Sequence, residues 1–171
     1  MEIRVRNTGT TMTWPEFRDF LLQQNPEQLI TIAEQSEQWI NDHGGDIVFE
    51  GAQATGGTVY QYSQRQGIEL IGDRWYTKYV LGPIFTEYTD DQGVLHTVIS
   101  QENQYKSLLD SRQAGIVRDK RNDLLKNSDW TQLKDIPDNI SSSWAIYRQQ
   151  LRDITNQENF PWQVVWPIKP E

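Results

Sequence analysis

Polar and apolar positions alternate from the start of the chain. Glu2-Ile3-Arg4-Val5-Arg6 has period two and reads as a short strand. Asn7-Thr8-Gly9-Thr10 follows as a turn. The period then lengthens to that of a helix, with Phe17, Phe20 and Leu21 on one face. Thr13 opens this helix as N-cap, Pro15 sits in its first turn, and Glu16 lies three residues after the cap. Asn25-Pro26 stops it. A second helix is predicted over 27–42, burying Leu29, Ile32, Ala33, Trp39 and Ile40, with Gly44-Gly45 as its end.

From Asp46 to Val98 the pattern returns to period two in short runs. Strands are predicted at Asp46–Glu50, Thr58–Tyr62 and Trp75–Leu81, with Glu69-Leu70-Ile71 leading into a Gly72-Asp73 turn. Gly82-Pro83 breaks the third run. Ile84–Thr89 and Val94–Ile99 flank Asp90-Asp91-Gln92-Gly93, which reads as a hairpin loop. Together these runs predict a small antiparallel sheet of three to five strands. From Ser100 to Lys126 there is no Pro and one Gly, so a long helix of about 40 Å is predicted. Tyr105, Leu108, Leu109, Ile116, Val117, Leu124 and Leu125 gather near one side of it, interrupted by Arg112 and Lys120. No sustained heptad marks a continuous coiled coil. The helix is expected to pack on the sheet or to connect two modules, with self-association along 101–126 as the sharper alternative.

The last part of the chain carries four of its seven Trp residues. Ser128-Asp129 turns the chain after the long helix, and Asp135-Ile136-Pro137-Asp138 breaks it again. Ser141, Ser142 and Ser143 are candidate N-caps for a short helix. In that helix Trp144, Tyr147, Leu151 and Ile154 form one apolar stripe, while Arg148, Gln149, Gln150, Arg152 and Asp153 fill the other positions. Phe160-Pro161-Trp162-Gln163-Val164-Val165-Trp166-Pro167 then reads as an extended tail, with Trp162, Val164 and Trp166 on one face. Nothing in the pattern decides whether that face fills a groove of this protein or of another.

The segment Arg118–Glu171 resembles the C-terminal module of tailed-phage tail assembly chaperones and tail-fibre assembly proteins. The resemblance rests on Arg121-Asn122-Asp123-Leu124-Leu125, on Asp129-Trp130-Thr131-Gln132-Leu133, and on Asp135-Ile136-Pro137. It continues through Trp144 with Tyr147–Ile154, then Phe160-Pro161 and Val165-Trp166-Pro167, in the same order. It implies assembly of the tail or its fibres, with other tail proteins as partners. It also implies a place in the host cytoplasm during assembly, or on the virion tail if the protein is retained. Partner binding is expected at Trp130, Trp144, Tyr147, Trp162, Val164 and Trp166.

These readings give an α+β chain in three parts. Residues 1–100 form an N-terminal strand, two helices and the small antiparallel sheet. Residues 101–126 form the long connecting helix. Residues 127–171 form the C-terminal helical module with its Trp- and Pro-rich tail. At 171 residues, one ordinary domain or two small ones fit. Charge is uneven: the net −8 lies in residues 1–101, and the remainder is neutral. That disfavours nonspecific nucleic-acid binding. The chain has no Cys, so a disulfide or thiolate-metal site is excluded. No apolar run suits a membrane span, and the first residues lack the apolar stretch of a signal peptide.

Candidate chemistry is sparse. His43 stands at a helix end, where it can reach terminal carbonyls, and His96 lies in a separate strand. Asp90-Asp91 are neighbours in a loop and point apart. Asp46, Glu50, Asp73 and Glu87 lack the spacing of a calcium loop. Gly51–Gly57 lacks the Lys and Ser/Thr of a phosphate loop. Arg118, Lys120, Arg121 and Lys126 alternate with Asp119 and Asp123 and read as a solvated, ion-paired helix face. No enzyme activity, metal or cofactor is expected. Three functions compete: an assembly chaperone, a permanent baseplate or fibre component, and a carbohydrate binder using Trp75, Tyr76, Tyr79 and Tyr88.

Overall fold

A computed structural model describes residues 1–27, 30 and 36–171. The chain divides into two compact units, Met1–Ile84 and Phe85–Glu171. Its class is α+β, with one mixed sheet, one small separate sheet and helices in both units.

In the first unit, β1 (Glu2–Val5) pairs antiparallel with both β2 (Thr11–Thr13) and β3 (Gly45–Phe49). β4 (Tyr62–Ile71) and β5 (Arg74–Gly82) form a hairpin, and the sheet order is β2-β1-β3-β5-β4. The β3–β5 pairing is parallel, so the sheet is mixed rather than antiparallel. Strand β2 is only three residues long, Thr11-Met12-Thr13, with a single apolar residue, too short a run to announce a strand. It exists because β1 supplies its partners. Helix α1 (Trp14–Gln24) starts directly after it. The Glu16 carboxylate accepts from the Thr13 amide (2.7 Å) and hydroxyl (2.8 Å), closing the expected capping arrangement. Those bonds, the amide's first, hold the Glu16 carboxyl below its usual range.

Helix α2 spans Glu37–Asp42, with the Ser36 hydroxyl accepting from the Trp39 amide. Its expected upstream part, with Leu29, Ile32 and Ala33, lies outside the described residues. His43 Nδ1 sits 2.7 Å from the Trp39 carbonyl, as expected of a side chain at a helix end. The core joins Ile3 and Val5 of β1 to Trp14, Phe17 and Leu21 of α1 and Ile40 of α2. Burying each such side chain contributes roughly 1.5–3 kcal/mol. Gly45 fits here because a Cβ would lie within 2.8 Å of both Ile40 and Ile3. Thr58–Tyr60 is a turn rather than strand: Gln61 donates its amide to the Thr58 carbonyl, and its side chain accepts from the Thr58 amide. The strand starts only at Tyr62 and runs through Gly67, at an irregularity in the β4–β5 pairing between Arg65 and Ile68.

In the second unit, β6 (Tyr88–Thr89) and β7 (Leu95–His96) form a separate two-stranded hairpin. Asp90 organises its loop, accepting from the Gln92 and Val94 amides and pairing with His96 Nε2 at 2.9 Å. Strand pairing ends at His96, because the Thr97 hydroxyl accepts from the Ser100 amide and starts a helix. That helix, α3, covers Val98–Asn127. Its apolar residues divide between two sides. Ala114 and Val117 are buried, whereas Leu108 and Ile116 are more than half exposed. At about 100° per residue, Ile116 and Val117 cannot share one face.

Candidate partner-binding module

Helix α3 ends at Ser128, whose hydroxyl bonds the Leu124 and Leu125 carbonyls at 2.9 and 2.8 Å. A 3-10 helix, Asp129–Gln132, carries Trp130. Helix α4 then spans Asp138–Arg152, followed by a 3-10 turn over Asp153–Asn156. It begins a turn earlier than its serines suggest. Pro137 occupies the N-cap, and Ser141 and Ser143 bond back to the carbonyls of Asp138 and Ile140.

The expected stripe is the core of this module. Trp144, Tyr147, Leu151 and Ile154 are at most 4% exposed and pack with Val117 of α3. Arg148, expected on the outer face, is buried as well. One of its terminal nitrogens donates to the Leu125 carbonyl (2.6 Å) and the Ser128 hydroxyl (2.7 Å). The other pairs with Asp129 at 2.9 Å. A buried cation is thus placed at the carbonyl end of α3, where the helix dipole favours it. The signal was present in the sequence: residues 144, 147, 148 and 151 are spaced i, i+3, i+4, i+7.

The tail turns before it extends. The Trp162 and Gln163 amides both bond the Asn159 carbonyl, so Phe160–Trp162 is a turn. Beyond it, Trp162, Val164 and Trp166 are half-buried while Gln163 and Val165 are exposed. Trp162 Nε1 donates to Asp110 at 2.6 Å. Val164 and Trp166 pack against the α3–α4 core, so the groove they fill belongs to this protein. Gln157 holds the extended tail in place. Its carboxamide donates to the Val165 carbonyl and accepts from the Val165 amide, both at 2.8 Å. Arg118 and Lys120 lie over the rings of Phe160 (5.6 Å) and Trp166 (4.4 Å), where ion pairs along the helix were expected.

The structure therefore gathers Trp144, Tyr147, Val164 and Trp166 into one core and sets Trp130 at its edge. Trp130 meets Trp144 edge-on at 5.5 Å and is 47% exposed. Two residues outside the expected set face outward: Val165, 77% exposed, and Ile168, 92% exposed. They border an open groove of about 500 Å³, walled on the helix side by Gln150, Asp153 and Gln157 and on the tail side by Val165–Ile168. This is an apolar ridge beside amide and carboxylate groups, a surface suited to a peptide segment. The sequence alternation separates Val164, on the face of Trp162 and Trp166, from Val165, but does not say which face is inward. The core beneath Val164 and Trp166 and the Gln157 bonds to Val165 settle that.

Of the four rings proposed as a carbohydrate platform, Trp75, Tyr76 and Tyr79 lie on β5 of the first unit, and each has a partner there. Trp75 lies beneath the Arg4 guanidinium (4.2 Å), Tyr76 packs near Phe49 and Tyr79 donates to Glu50. Tyr88, in the other unit, stacks on His96. Asp46 is taken by Arg4 and Arg6. Among the described residues, no three His, Asp or Glu side chains gather to hold a metal ion.

No curated protein matches the chain, and no solved structure does. A family model does match, over the end of α3, all of α4 and the tail: residues 114–171, the C-terminal third of the chain, are similar to the phage tail assembly chaperone protein family.

Proposed function

We propose that the protein is a non-enzymatic assembly chaperone of a phage tail. It works in the host cytoplasm, holds a tail or tail-fibre protein through its C-terminal module, and leaves before the virion is complete. The observation that carries this reading is the exposed pair Val165 and Ile168 beside the Gln150–Asp153–Gln157 groove, inside the segment that matches the chaperone family. The inward residues Trp144, Val164 and Trp166 build the support, and the outward ones meet the partner. An extended apolar segment of the tail protein would lie along the ridge. Such a segment is exposed before a tail polymerises, and covering it suppresses wrong association.

The test is co-expression of the full chain with the tail and fibre proteins of the same phage. Val165→Asp with Ile168→Asp removes the ridge and leaves the core residues untouched. Loss of co-purification with an unchanged melting temperature is the expected result. A partner retained at wild-type yield by the double variant would refute this surface. Mass spectrometry of purified virions reads the departure step, with the protein expected to be absent or well below the copy number of the tail subunits.

A further inference from the structure

The side of α3 facing away from Ala114 and Val117 has a composition that its own chain does not use. Arg112, Gly115, Ile116 and Asp119 lie there at spacing i, i+3, i+4, i+7. Together they make one compact patch on a helix surface. Ile116 is 58% exposed at its centre. Beyond Gly115 the space is open, with nothing within 4 Å of the Cβ it lacks, so another backbone can approach closely. Arg112 and Asp119 flank the patch, two helical turns and about 10 Å apart along the axis. They are too distant to pair with each other.

This charge order is complementary to itself when reversed. A second copy of α3 crossing antiparallel, with its two-fold axis at Ile116, places Ile116 on the partner's Ile116. It also sets each Arg112 against the Asp119 of the other copy. A parallel crossing in register would place like charges together. We infer that this face of α3 is a homodimer contact, isologous and antiparallel, closed by two Arg112–Asp119 ion pairs around an Ile116 centre. The inference stands apart from the tail ridge. It uses the opposite side of α3 from the core that supports Val164 and Trp166, so capture of a tail protein and dimerisation can fail separately.

The experiment is sedimentation equilibrium of the full chain over a concentration series. A reversible dimer is expected. Arg112→Glu and Asp119→Arg should each raise the dissociation constant by about tenfold or more, and the double reversal should restore it toward the starting value. Because the chain has no cysteine, Ile116→Cys is a clean second probe. Under mild oxidation it should give a disulfide-linked dimer, whereas Ile146→Cys, at an equally exposed position of α4 (64%), should not. The inference is overturned if the chain sediments as a monomer at every concentration. It is also overturned if the single reversals leave the dimer unchanged, if the double reversal fails to restore it, or if both cysteine variants cross-link alike.

Discussion

Replacing Arg148 by Met keeps a long unbranched side chain and removes every donor. Three bonds disappear: to the Leu125 carbonyl, the Ser128 hydroxyl and Asp129. The Ser128 hydroxyl still bonds the Leu124 and Leu125 carbonyls, so the acceptors left behind are not fully orphaned. Hydrogen bonds to a charged group are worth about 1.5–3 kcal/mol each in net terms. The Asp129 pair is discounted because its carboxylate is 64% exposed. Relief of the guanidinium's burial offsets part of the loss, since its Nε has no partner. The balance is a destabilisation of about 2–3 kcal/mol. In a unit of this size that lowers the melting temperature by roughly 10–20 °C. Arg148→Lys keeps the charge but not the fork, and should fall between Met and wild type. The assay is guanidinium unfolding followed by fluorescence, which reports strongly on this unit through Trp130, Trp144, Trp162 and Trp166. Asp129→Asn is the comparison and should cost less than about 1 kcal/mol. If Arg148→Met unfolds within about 0.5 kcal/mol of wild type, Arg148 does not tie α4 to the end of α3. If Asp129→Asn costs as much as Arg148→Met, the exposed pair dominates and the buried bonds do not.

In the first unit, Gly51→Ala should destabilise by about 3 kcal/mol or more. Its Cβ would lie 1.9 Å from the Thr77 carbonyl oxygen, and the Gly51 amide is tied to the Thr77 hydroxyl at 2.7 Å. A thermal melt unchanged from wild type would refute this packing. In the hairpin, the bond from His96, followed by the Val94 amide, holds the Asp90 carboxyl below its ordinary value. A depressed folded-state value means that the ionised carboxylate stabilises the hairpin above the unfolded value of about 3.9, and that this contribution is lost as pH falls through the folded value. The protection factors of the Gln92 and Val94 amides, measured against their intrinsic exchange rates, should therefore fall on acidification, and Asp90→Ala should remove that fall. Protection factors of the variant that still fall with pH as in the wild type would assign the effect to another group.

The parts of the fold most legible in the sequence were those fixed by local chemistry. Thr13 and Glu16 announce the start of α1, Gly72-Asp73 announces the β4–β5 turn, and the 144–147–151–154 spacing announces the α4 core. What escaped was set by distant partners. Strand β2 is too short for its Thr-Met-Thr alternation to be read as strand, and it pairs because β1 lies beside it. The parallel β3–β5 pairing is not encoded in either strand. Thr58–Tyr60 has strand-like composition, but the Gln61 side chain closes a turn there first. Arg148 shares the spacing of the buried stripe, but its charge reads as surface until the carbonyl end of α3 supplies its acceptors. The tail shows the limit most clearly. Its alternation places Trp162, Val164 and Trp166 on one side, yet only the core beneath them and the Gln157 clasp show that this side is inward. Val165 and Ile168 are thereby left as the outward surface.

Hydrogen–deuterium exchange of the full chain, alone and in complex with its co-purified tail protein, tests the central claim most directly. New protection is expected over residues 163–169 and over 150–157, the end of α4 and the 3-10 turn after it, with little change in strands β1–β5. Protection confined to residues 1–84, with residues 150–169 exchanging as in the free chain, would contradict it.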